Sequence, residues 1–188
     1  MPRKSKYESD EIVEVALEIA KIEGLAGITA RRIAEKLESS VAPIYVKFDN
    51  IEKLKEEVVK KFFSLSDKMI SKQDGSSYYE KVGKASIAIA KEYPILYREL
   101  VVQPNPYLPS YDDTEKNIIA EMIKDEQFQG WSLEQIKNIL LKLKIFQTGL
   151  TVMIASQNIP SRLSESDLRE LLIEVGQDLL LIEEQKDN

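Results

Sequence analysis

Residues 29–48 read TARRIAEKLESSVAPIYVKF and contain two short runs whose apolar residues have helical spacing. The residues that fall on one face are Ile33, Ala34 and Leu37 in the first run, and Ile44, Tyr45 and Phe48 in the second. An isolated helix shorter than about 12 to 15 residues is marginal in water. The two runs must therefore pack on each other and on a neighbour, which predicts a helix-turn-helix.

The rest of the chain also has the pattern of helix following helix. Apolar spacing and capping residues predict helices over residues 8–23, 29–37, 39–47, 50–71, 77–93, 114–127, 132–156 and from the SESD segment to about 184. Pro94 is expected to break or kink the fifth of these, and PNPYLP (104–109) is expected to form a loop. No strand pattern competes, so the predicted fold class is all-α.

Several helix ends carry recognisable capping residues. Gly24 is expected to end the first helix, Thr29 to cap the second, Ser39 or Ser40 to cap the third and Asn50 to cap the fourth. Pro43 would lie in the first turn of the third helix, where a missing N–H is tolerated.

Composition excludes several classes of protein. The chain has 188 residues, 43% of them hydrophobic and 31% charged, and it contains neither cysteine nor histidine. Disulfides, zinc sites built from Cys or His and His-based general base chemistry are thereby excluded. The polar N-terminus has no apolar segment typical of secretion, and no apolar run approaches the about 18 residues of a membrane span. We expect a cytoplasmic protein with no membrane partner, metal, cofactor or catalytic site.

The net charge of −6 argues at first against a nucleic-acid partner. The charge is unevenly distributed, however, because residues 1–61 contain 12 Lys or Arg and 12 Asp or Glu, whereas residues 62–188 contain 14 and 20. The sequence therefore predicts a neutral N-terminal module attached to an acidic body.

In a DNA-binding helix-turn-helix, the second helix enters the major groove. Here the apolar residues of the two short helices would pack against Ile12, Ala16 and Ile19 of the first helix; they are Ile33, Ala34, Leu37, Ile44 and Phe48. The residues that remain more exposed would be Val41, Ala42, Pro43, Val46 and Lys47. Small apolar groups can contact thymine methyls, which suits the first three of these positions. Ser40, Tyr45 and Lys47 would then contact phosphates of double-stranded operator DNA.

The spacing of these residues resembles the N-terminal signature of the tetracycline-repressor (TetR) family. The signature has the form G-x4-T-x3-IA-x5-S-x3-[LI]-Y-x2-F-x5-L, and the matching residues are Gly24, Thr29, Ile33, Ala34, Ser40, Ile44, Tyr45, Phe48 and Leu54. The resemblance covers roughly residues 8–55 and implies a homodimeric, ligand-responsive transcriptional repressor. It implies a DNA-binding domain over 1–50 and a helical effector-binding and dimerisation domain over 51–188.

Matched to the family position by position, Thr29 and Ser40 stand at helix starts that touch phosphate, and Arg31 stands where a base or the backbone is reached. Val41, Ala42 and Pro43 stand at base-reading positions, and Tyr45 at a phosphate-contacting tyrosine.

The chain departs from the family pattern at two positions. Glu38 stands where the family has a turn glycine, so either a non-glycine residue adopts a left-handed conformation at a cost of roughly 1 kcal/mol or the turn differs. Ile51 replaces a phosphate-contacting lysine, for which Lys53 is the candidate substitute.

Some residues allow two interpretations. Arg32 lies either on a solvated helix face or at the DNA, and Tyr45 can both pack its ring and bind phosphate. The basic residues Arg3, Lys4 and Lys6 form either a solubilising tail or an arm that reaches the minor groove. Two other classes of function remain open: a helical enzyme, for which no acid and base pair is visible, and a helical protein-interaction module without specific DNA binding, with which the acidic composition is compatible.

The effector site is predicted from polar tips among apolar neighbours. The candidate lining residues are Tyr93, Tyr97, Arg98, Gln103, Trp131, Phe146 and Gln147. The lack of a charge cluster favours an amphipathic or apolar small molecule.

The last two long helices predict the homodimer interface. Residues at alternating three and four spacing are Ile136, Leu140, Leu143, Gln147, Leu150 and Ile154 in one helix, and Leu168, Leu171, Val175, Leu179 and Ile182 in the other. Further apolar residues lie off these stripes at Ile139, Ile145, Leu172, Leu180 and Leu181. The two helices therefore need burial on two sides, one inside their own domain and one against a second copy.

Overall fold

The computed structural model describes residues 7–107 and 111–185, and within these ranges it contains helices and no strand. In chain order the α-helices are α1 Ser9–Glu23, α2 Ala30–Lys36, α3 Ala42–Lys47, α4 Ile51–Ser71, α5 Tyr78–Glu92, α6 Pro94–Tyr97, α7 Tyr111–Met122, α8 Leu133–Ala155 and α9 Glu165–Glu184. Short 3-10 turns form at Leu25–Gly27 and Glu126–Phe128, and a π-helical turn forms at Arg98–Val102. The predicted all-α class is confirmed.

The chain divides into two compact units. The first contains the described residues up to Asp67 together with Tyr93–Tyr107, and the second contains Lys68–Glu92 together with the described residues that follow 110. The predicted domain boundary at residue 50 falls inside the first unit, and the functional assignment of domains 1–50 and 51–188 stays a prediction.

The first unit is built around the apolar stripe of α1. Ile12 and Ala16 are fully buried, and they pack in a core shared with the apolar residues of α2, α3, α4 and α6, among them Ile33, Ile44, Leu54, Val58, Phe62 and Leu96. Each short helix is too short to be stable alone, so this common core is what stabilises it.

The second unit is a bundle of α5, α7, α8 and α9. Its core has two clusters: one around Ile119, Met122, Phe128, Ile136, Ile139, Leu140 and Leu143, and one around Ile87, Leu150, Leu168 and Leu172. α8 is long and apolar enough to span a bilayer by length and composition. Seven of its residues are buried, which accounts for that apolar composition as packing within the unit.

Most predicted helix ends agree with the structure. The capping boxes Ser132–Gln135 and Ser164–Asp167 form, with Gln135 N donating to Ser132 Oγ at 3.2 Å and Asp167 N donating to Ser164 Oγ at 3.2 Å. Asn50 caps α4 by accepting a bond from Lys53 N at 2.9 Å.

The helix predicted over 114–127 was placed too far along the chain. α7 begins at Tyr111 and ends at Met122. A 3-10 turn then begins after Asp125, whose side chain caps it by accepting a hydrogen bond from Gln127 N at 3.1 Å. Asp favours local bonds to nearby backbone over a continuing helix, which explains the early end. The predicted loop at 104–109 extends into residues 108–110, which lie outside the described residues.

Candidate nucleic-acid interface

α2 begins as the sequence predicts. Thr29 is its N-cap, with extended backbone, and its Oγ1 accepts a hydrogen bond from Arg32 N at 3.3 Å. Because the oxygen accepts this bond, the hydroxyl proton of the exposed Thr29 remains able to donate to a ligand. Arg31 is exposed beside it on the first turn.

The turn after α2 is a Schellman motif with a glutamate where glycine is usual. Glu38 N donates to Glu35 O at 3.1 Å, Ser39 N donates to Ala34 O at 2.9 Å, and Glu38 has φ +48°. Of the two alternatives for this position, the left-handed conformation is the one that forms, and the turn keeps its shape without glycine. The same arrangement recurs after α8, where Gln157 has φ +55°.

α3 has one buried side and one exposed side. Ile44 is 1% exposed and Phe48 is 8% exposed, whereas Val41, Tyr45 and Val46 are 41%, 53% and 69% exposed. The exposed side also includes Ala42 and the half-buried Pro43. The helical spacing had predicted that Tyr45 shares the buried face with Ile44 and Phe48. In the structure Tyr45 lies outside that face.

The cap predicted for α3 was wrong. Its N-cap is Val41, without a side-chain cap, while Ser39 Oγ donates to Ser40 O at 3.0 Å and Ser40 is exposed. The helix starts after both serines, and Pro43 in its first turn has no N–H that would require a cap.

The predicted DNA-contacting cations differ in their surroundings. Arg31 is exposed, Lys47 Nζ lies 2.9 Å from Glu8 Oε2, and Lys53 Nζ lies 2.8 Å from Glu56 Oε2. The hydrogen bond to Glu56 raises the pKa of Lys53. Ile51 is half-buried at the start of α4, and Lys6, Arg3 and Lys4 lie outside the described residues. Arg32 is paired with Glu23.

Two contacts that the sequence did not reveal tie the start of α1 to the helix-turn-helix. Tyr7 Oη donates to Leu37 O at 2.5 Å, at the end of α2, and Glu8 pairs with Lys47 in the last turn of α3. Partners 30 and 39 residues apart leave no local signal in the sequence.

A third long-range contact supports the end of α1. Glu99 Oε2 accepts a hydrogen bond from Leu25 N at 2.8 Å, directly after Gly24, which has φ +75°. A Cβ at Gly24 would collide with the Glu99 carboxylate. The glycine is therefore required both by its backbone conformation and by this close approach.

The predicted effector residues are divided between the two units. In the first unit, Tyr93 and Tyr97 are buried, and Arg98 and Gln103 are exposed. The Tyr93 ring packs edge-on against Phe62 with centroids 5.7 Å apart, and Lys21 Nζ lies 4.6 Å from its centroid.

The other three predicted effector residues, Trp131, Phe146 and Gln147, lie in the second unit. The half-buried Trp131 packs edge-on against Phe128, and Phe146 is also half-buried. Gln147 accepts a hydrogen bond from Tyr79 Oη at 3.1 Å and donates to Ser86 Oγ at 2.6 Å. The predicted seven residues are thus not gathered in one cavity of either unit, and their role as a ligand site stays a prediction.

Two cavities are lined by described residues of the second unit. One, of about 80 Å³, lies among the start of α5, the turn after α7, α8 and α9, and its lining includes Ser76, Tyr79, Glu80, Gln127, Leu143, Leu172 and Gly176. The other is an open, almost wholly apolar groove of about 350 Å³ that includes Ile145, Phe146, Met153, Pro160, Leu168 and Leu171. Of the seven predicted effector residues, only Phe146 lines one of these two cavities, the apolar groove. In the described part of the chain, no cluster of acidic side chains is arranged to hold a metal ion.

α8 and α9 retain exposed apolar side chains. On α8, Ile136, Leu140, Leu143 and Leu150 face the core of the unit, whereas Leu141, Ile145 and Met153 are 46%, 65% and 40% exposed. On α9, Leu181 and Ile182 are both more than half exposed. Of the residues predicted to lie off the stripes, Ile145 and Leu181 are exposed, whereas Ile139 and Leu172 are buried in the core of the unit, so a dimer interface on this side stays a prediction.

Comparison with known proteins was made by sequence and by structure. No protein-family model and no curated protein matches the sequence. Among solved structures, a variant of TetR from Acinetobacter baumannii AYE in complex with minocycline aligns with a TM-score of 0.61 and 13% identity over 97% of this chain and 99% of that one.

Two further regulators align similarly. The fatty acid degradation regulator FadR from Bacillus halodurans aligns with a TM-score of 0.60 and 12% identity over 92% of this chain and 94% of that one. A transcriptional regulator from Rhodococcus sp. Rha1 aligns with a TM-score of 0.63 and 11% identity over 93% and 97%. The fold that the helix-turn-helix signature led us to expect is therefore confirmed: this chain has the all-α, TetR-like fold.

Proposed function

We propose that this protein is a ligand-responsive transcriptional repressor that reads operator DNA with α3 and releases it when a small molecule binds the helical second unit. The observation that carries the proposal is the exposed apolar side of α3. Val41, Tyr45 and Val46 stand out from a helix of six residues that directly follows a tight turn.

An exposed cluster of apolar side chains on a short helix indicates a binding surface. In the major groove, Val41, Ala42 and Pro43 would contact thymine methyls. Thr29 and Tyr45 carry exposed hydroxyls, and Arg31 an exposed guanidinium, all suited to phosphate. These contacts together supply both sequence readout and orientation on the duplex.

The proposal includes a homodimer formed through α8 and α9. Leu141, Ile145 and Met153 on α8 and Ile182 on α9 are apolar and exposed, as expected of a surface that a second copy covers. Two copies present two reading helices, which suits half-sites about 34 Å apart or a multiple of that distance.

For the effector we propose an amphipathic or apolar small molecule that binds the second unit. Pockets for drug-sized ligands measure about 300–1,000 Å³. The cavity among α5, α8 and α9 measures about 80 Å³, so a ligand of that size would occupy it only in a more open state of the bundle, whereas the apolar groove of about 350 Å³ already has the volume. A ligand that prefers this state shifts the population away from the DNA-binding state. The neighbours support a small-molecule effector, since one of them was solved with minocycline.

Fluorescence anisotropy on the DNA upstream of the protein's own gene, and on a scrambled duplex, at several salt concentrations tests the DNA-binding part. We expect tight, sequence-selective binding that weakens steeply with salt, because neutralised phosphates release counterions. Tyr45→Ala should weaken binding to the operator and the scrambled duplex alike, by about tenfold or more, since a hydrogen bond to a charged phosphate is worth about 1.5–3 kcal/mol and carries no sequence information. The control Ile22→Ala removes an apolar residue that is 65% exposed on α1, and it should leave affinity unchanged.

Weak binding to both duplexes, together with no preferred sequence in a pool of random duplexes, would contradict the proposal. The protein-interaction module, with which the net charge of −6 is compatible, would then be the better interpretation. Its complexes need not show the steep salt dependence of DNA binding.

A further inference from the structure

We propose that Glu8 is a positioning residue that lowers DNA affinity by holding Lys47 in an intramolecular ion pair. A DNA phosphate can bind Lys47 only by displacing the Glu8 carboxylate. This inference rests on the proposed DNA-binding function, because it concerns a cation of that interface.

The pair joins two separate elements of the first unit. Lys47 lies in the last turn of α3, and Glu8 immediately precedes α1. Lys47 Nζ donates to Glu8 Oε2 at 2.9 Å, and the lysine side chain is only 22% exposed whereas that of the glutamate is 79% exposed. The carboxylate therefore stands at the surface and engages the less exposed ammonium, so a phosphate that binds Lys47 has to compete with it.

The backbone beside Glu8 is held in place on both sides. Tyr7 Oη donates to Leu37 O at 2.5 Å, and Glu8 N donates to Glu11 Oε2 at 2.8 Å. The backbone of Glu8 is thus anchored next to the helix-turn-helix, and only its side chain has to be ordered for the carboxylate to reach Lys47. Less conformational entropy is lost when the two charges pair than for a pair between two mobile side chains.

The second paired cation of the interface is arranged differently. Lys53 pairs with Glu56 within a single helix, at the i,i+3 spacing, and its side chain is 57% exposed. Such a lysine can turn from its partner to a phosphate with little rearrangement. Lys47 is less free to do so, because its side chain is only 22% exposed and its partner belongs to another element.

The groove beside the pair adds to the effect. Lys47 and Lys53 line it together with Asp10, Asp49 and Glu57. Three carboxylates beside two ammonium groups oppose the approach of a polyanion. Neutralising Glu8 should therefore release Lys47 toward phosphate without removing any group that contacts the DNA.

The test is a double-mutant cycle of Glu8→Gln and Lys47→Gln, measured by anisotropy on operator and scrambled duplexes over a range of salt concentrations. We expect Glu8→Gln to raise affinity for both duplexes about two- to fivefold, the range that one exposed ion pair is worth. The slope of log K against log salt should steepen by about 0.9, because one more phosphate is neutralised. Lys47→Gln should cost less than about twofold in the wild-type background and should cancel the whole gain in the Glu8→Gln background.

The matched control is Glu18→Gln, which removes the same charge from an exposed position on α1. It should change affinity slightly through the overall field and leave the salt slope unchanged, because it releases no cation. A purely structural role of Glu8 would lower affinity and the melting midpoint together, without steepening the slope.

The outcomes separate the inference from the function on which it rests. If the wild-type protein prefers its operator but Glu8→Gln matches Glu18→Gln in affinity and slope, the inference is wrong and the function stands. A large loss on Lys47→Gln in the wild-type background, about tenfold or more, would equally overturn it, since Lys47 would then already be bound to phosphate. If the wild-type protein binds no duplex, both fail.

Discussion

The left-handed Glu38 offers a direct test of the energetics of the turn between α2 and α3. Its φ of +48° is unfavourable for any residue with a Cβ, and the side chain is exposed, so replacing it removes no packing. Glu38→Gly should therefore stabilise the protein, whereas Glu38→Ala removes the same carboxylate but retains the Cβ.

The magnitude follows from two opposing terms. Relief of the left-handed conformation contributes roughly 1–2 kcal/mol. The larger entropy of glycine in the unfolded chain opposes it by roughly 0.5–1 kcal/mol. We expect Glu38→Gly to exceed Glu38→Ala in stability by about 1 kcal/mol, which corresponds to a rise in melting midpoint of about 2–4 °C for a chain of this size.

Urea denaturation followed by circular dichroism, with thermal melts in parallel, measures this difference. Gln157, which adopts the same conformation after α8 in the second unit, provides an independent repeat with Gln157→Gly and Gln157→Ala. If the glycine variants were no more stable than the alanine variants at both sites, left-handed strain would not govern these turns and the reasoning would be refuted.

Three further predictions concern stability and assembly. Gly24→Ala should destabilise the protein by about 1–3 kcal/mol in urea denaturation, because φ +75° with ψ −178° suits glycine only and the new methyl would meet Glu99; an unchanged midpoint would contradict this. Lys91 Nζ donates to Glu165 Oε2 at 2.6 Å and lowers the pKa of that carboxyl below 4.5. The stabilisation by this ion pair is complete above pH 4.5 and is lost as the pH falls through the lowered pKa of Glu165. Glu165→Gln should therefore be less stable than the wild type at about pH 7 and nearly equal to it at about pH 3, and a stability difference that stays constant with pH would refute the linkage. Ile145→Lys should convert the proposed homodimer to a monomer in size-exclusion chromatography with light scattering while helicity is kept, because the residue is 65% exposed; a dimer of unchanged stability would exclude this surface.

Local patterns were sufficient for the helices of the first unit. The caps at Thr29 and Asn50, the end of α1 at Gly24 and the buried pair Ile44 and Phe48 were all predicted correctly. Each depends on residues within one or two turns of each other, so spacing and side-chain chemistry carry the information. Two local predictions failed: the serine cap of α3 does not form because the helix starts after both serines, and Tyr45, which the spacing placed on the buried face, is 53% exposed, as its alternative role at phosphate requires.

The candidate ligand site was much less predictable. Tyr93 and Gln147 have similar sequence environments, polar tips among apolar neighbours, yet one packs on Phe62 in the first unit and the other bonds to Tyr79 and Ser86 in the second. Composition cannot distinguish a buried, satisfied polar group from one that lines a cavity, because the difference lies in which helices surround it.

Local sequence patterns thus predict the helices of this chain, most of their ends apart from those of α3 and α7, and through residues 29–48 the helix-turn-helix itself. They do not reveal that Glu8 forms an ion pair with Lys47, that Tyr7 donates a hydrogen bond to Leu37 or that Glu99 accepts one from Leu25 at the end of α1. Those partners lie 39, 30 and 74 residues apart along the chain. Helix formation depends on neighbours within about four residues, whereas such pairs exist only once packing of the common core has brought distant segments together.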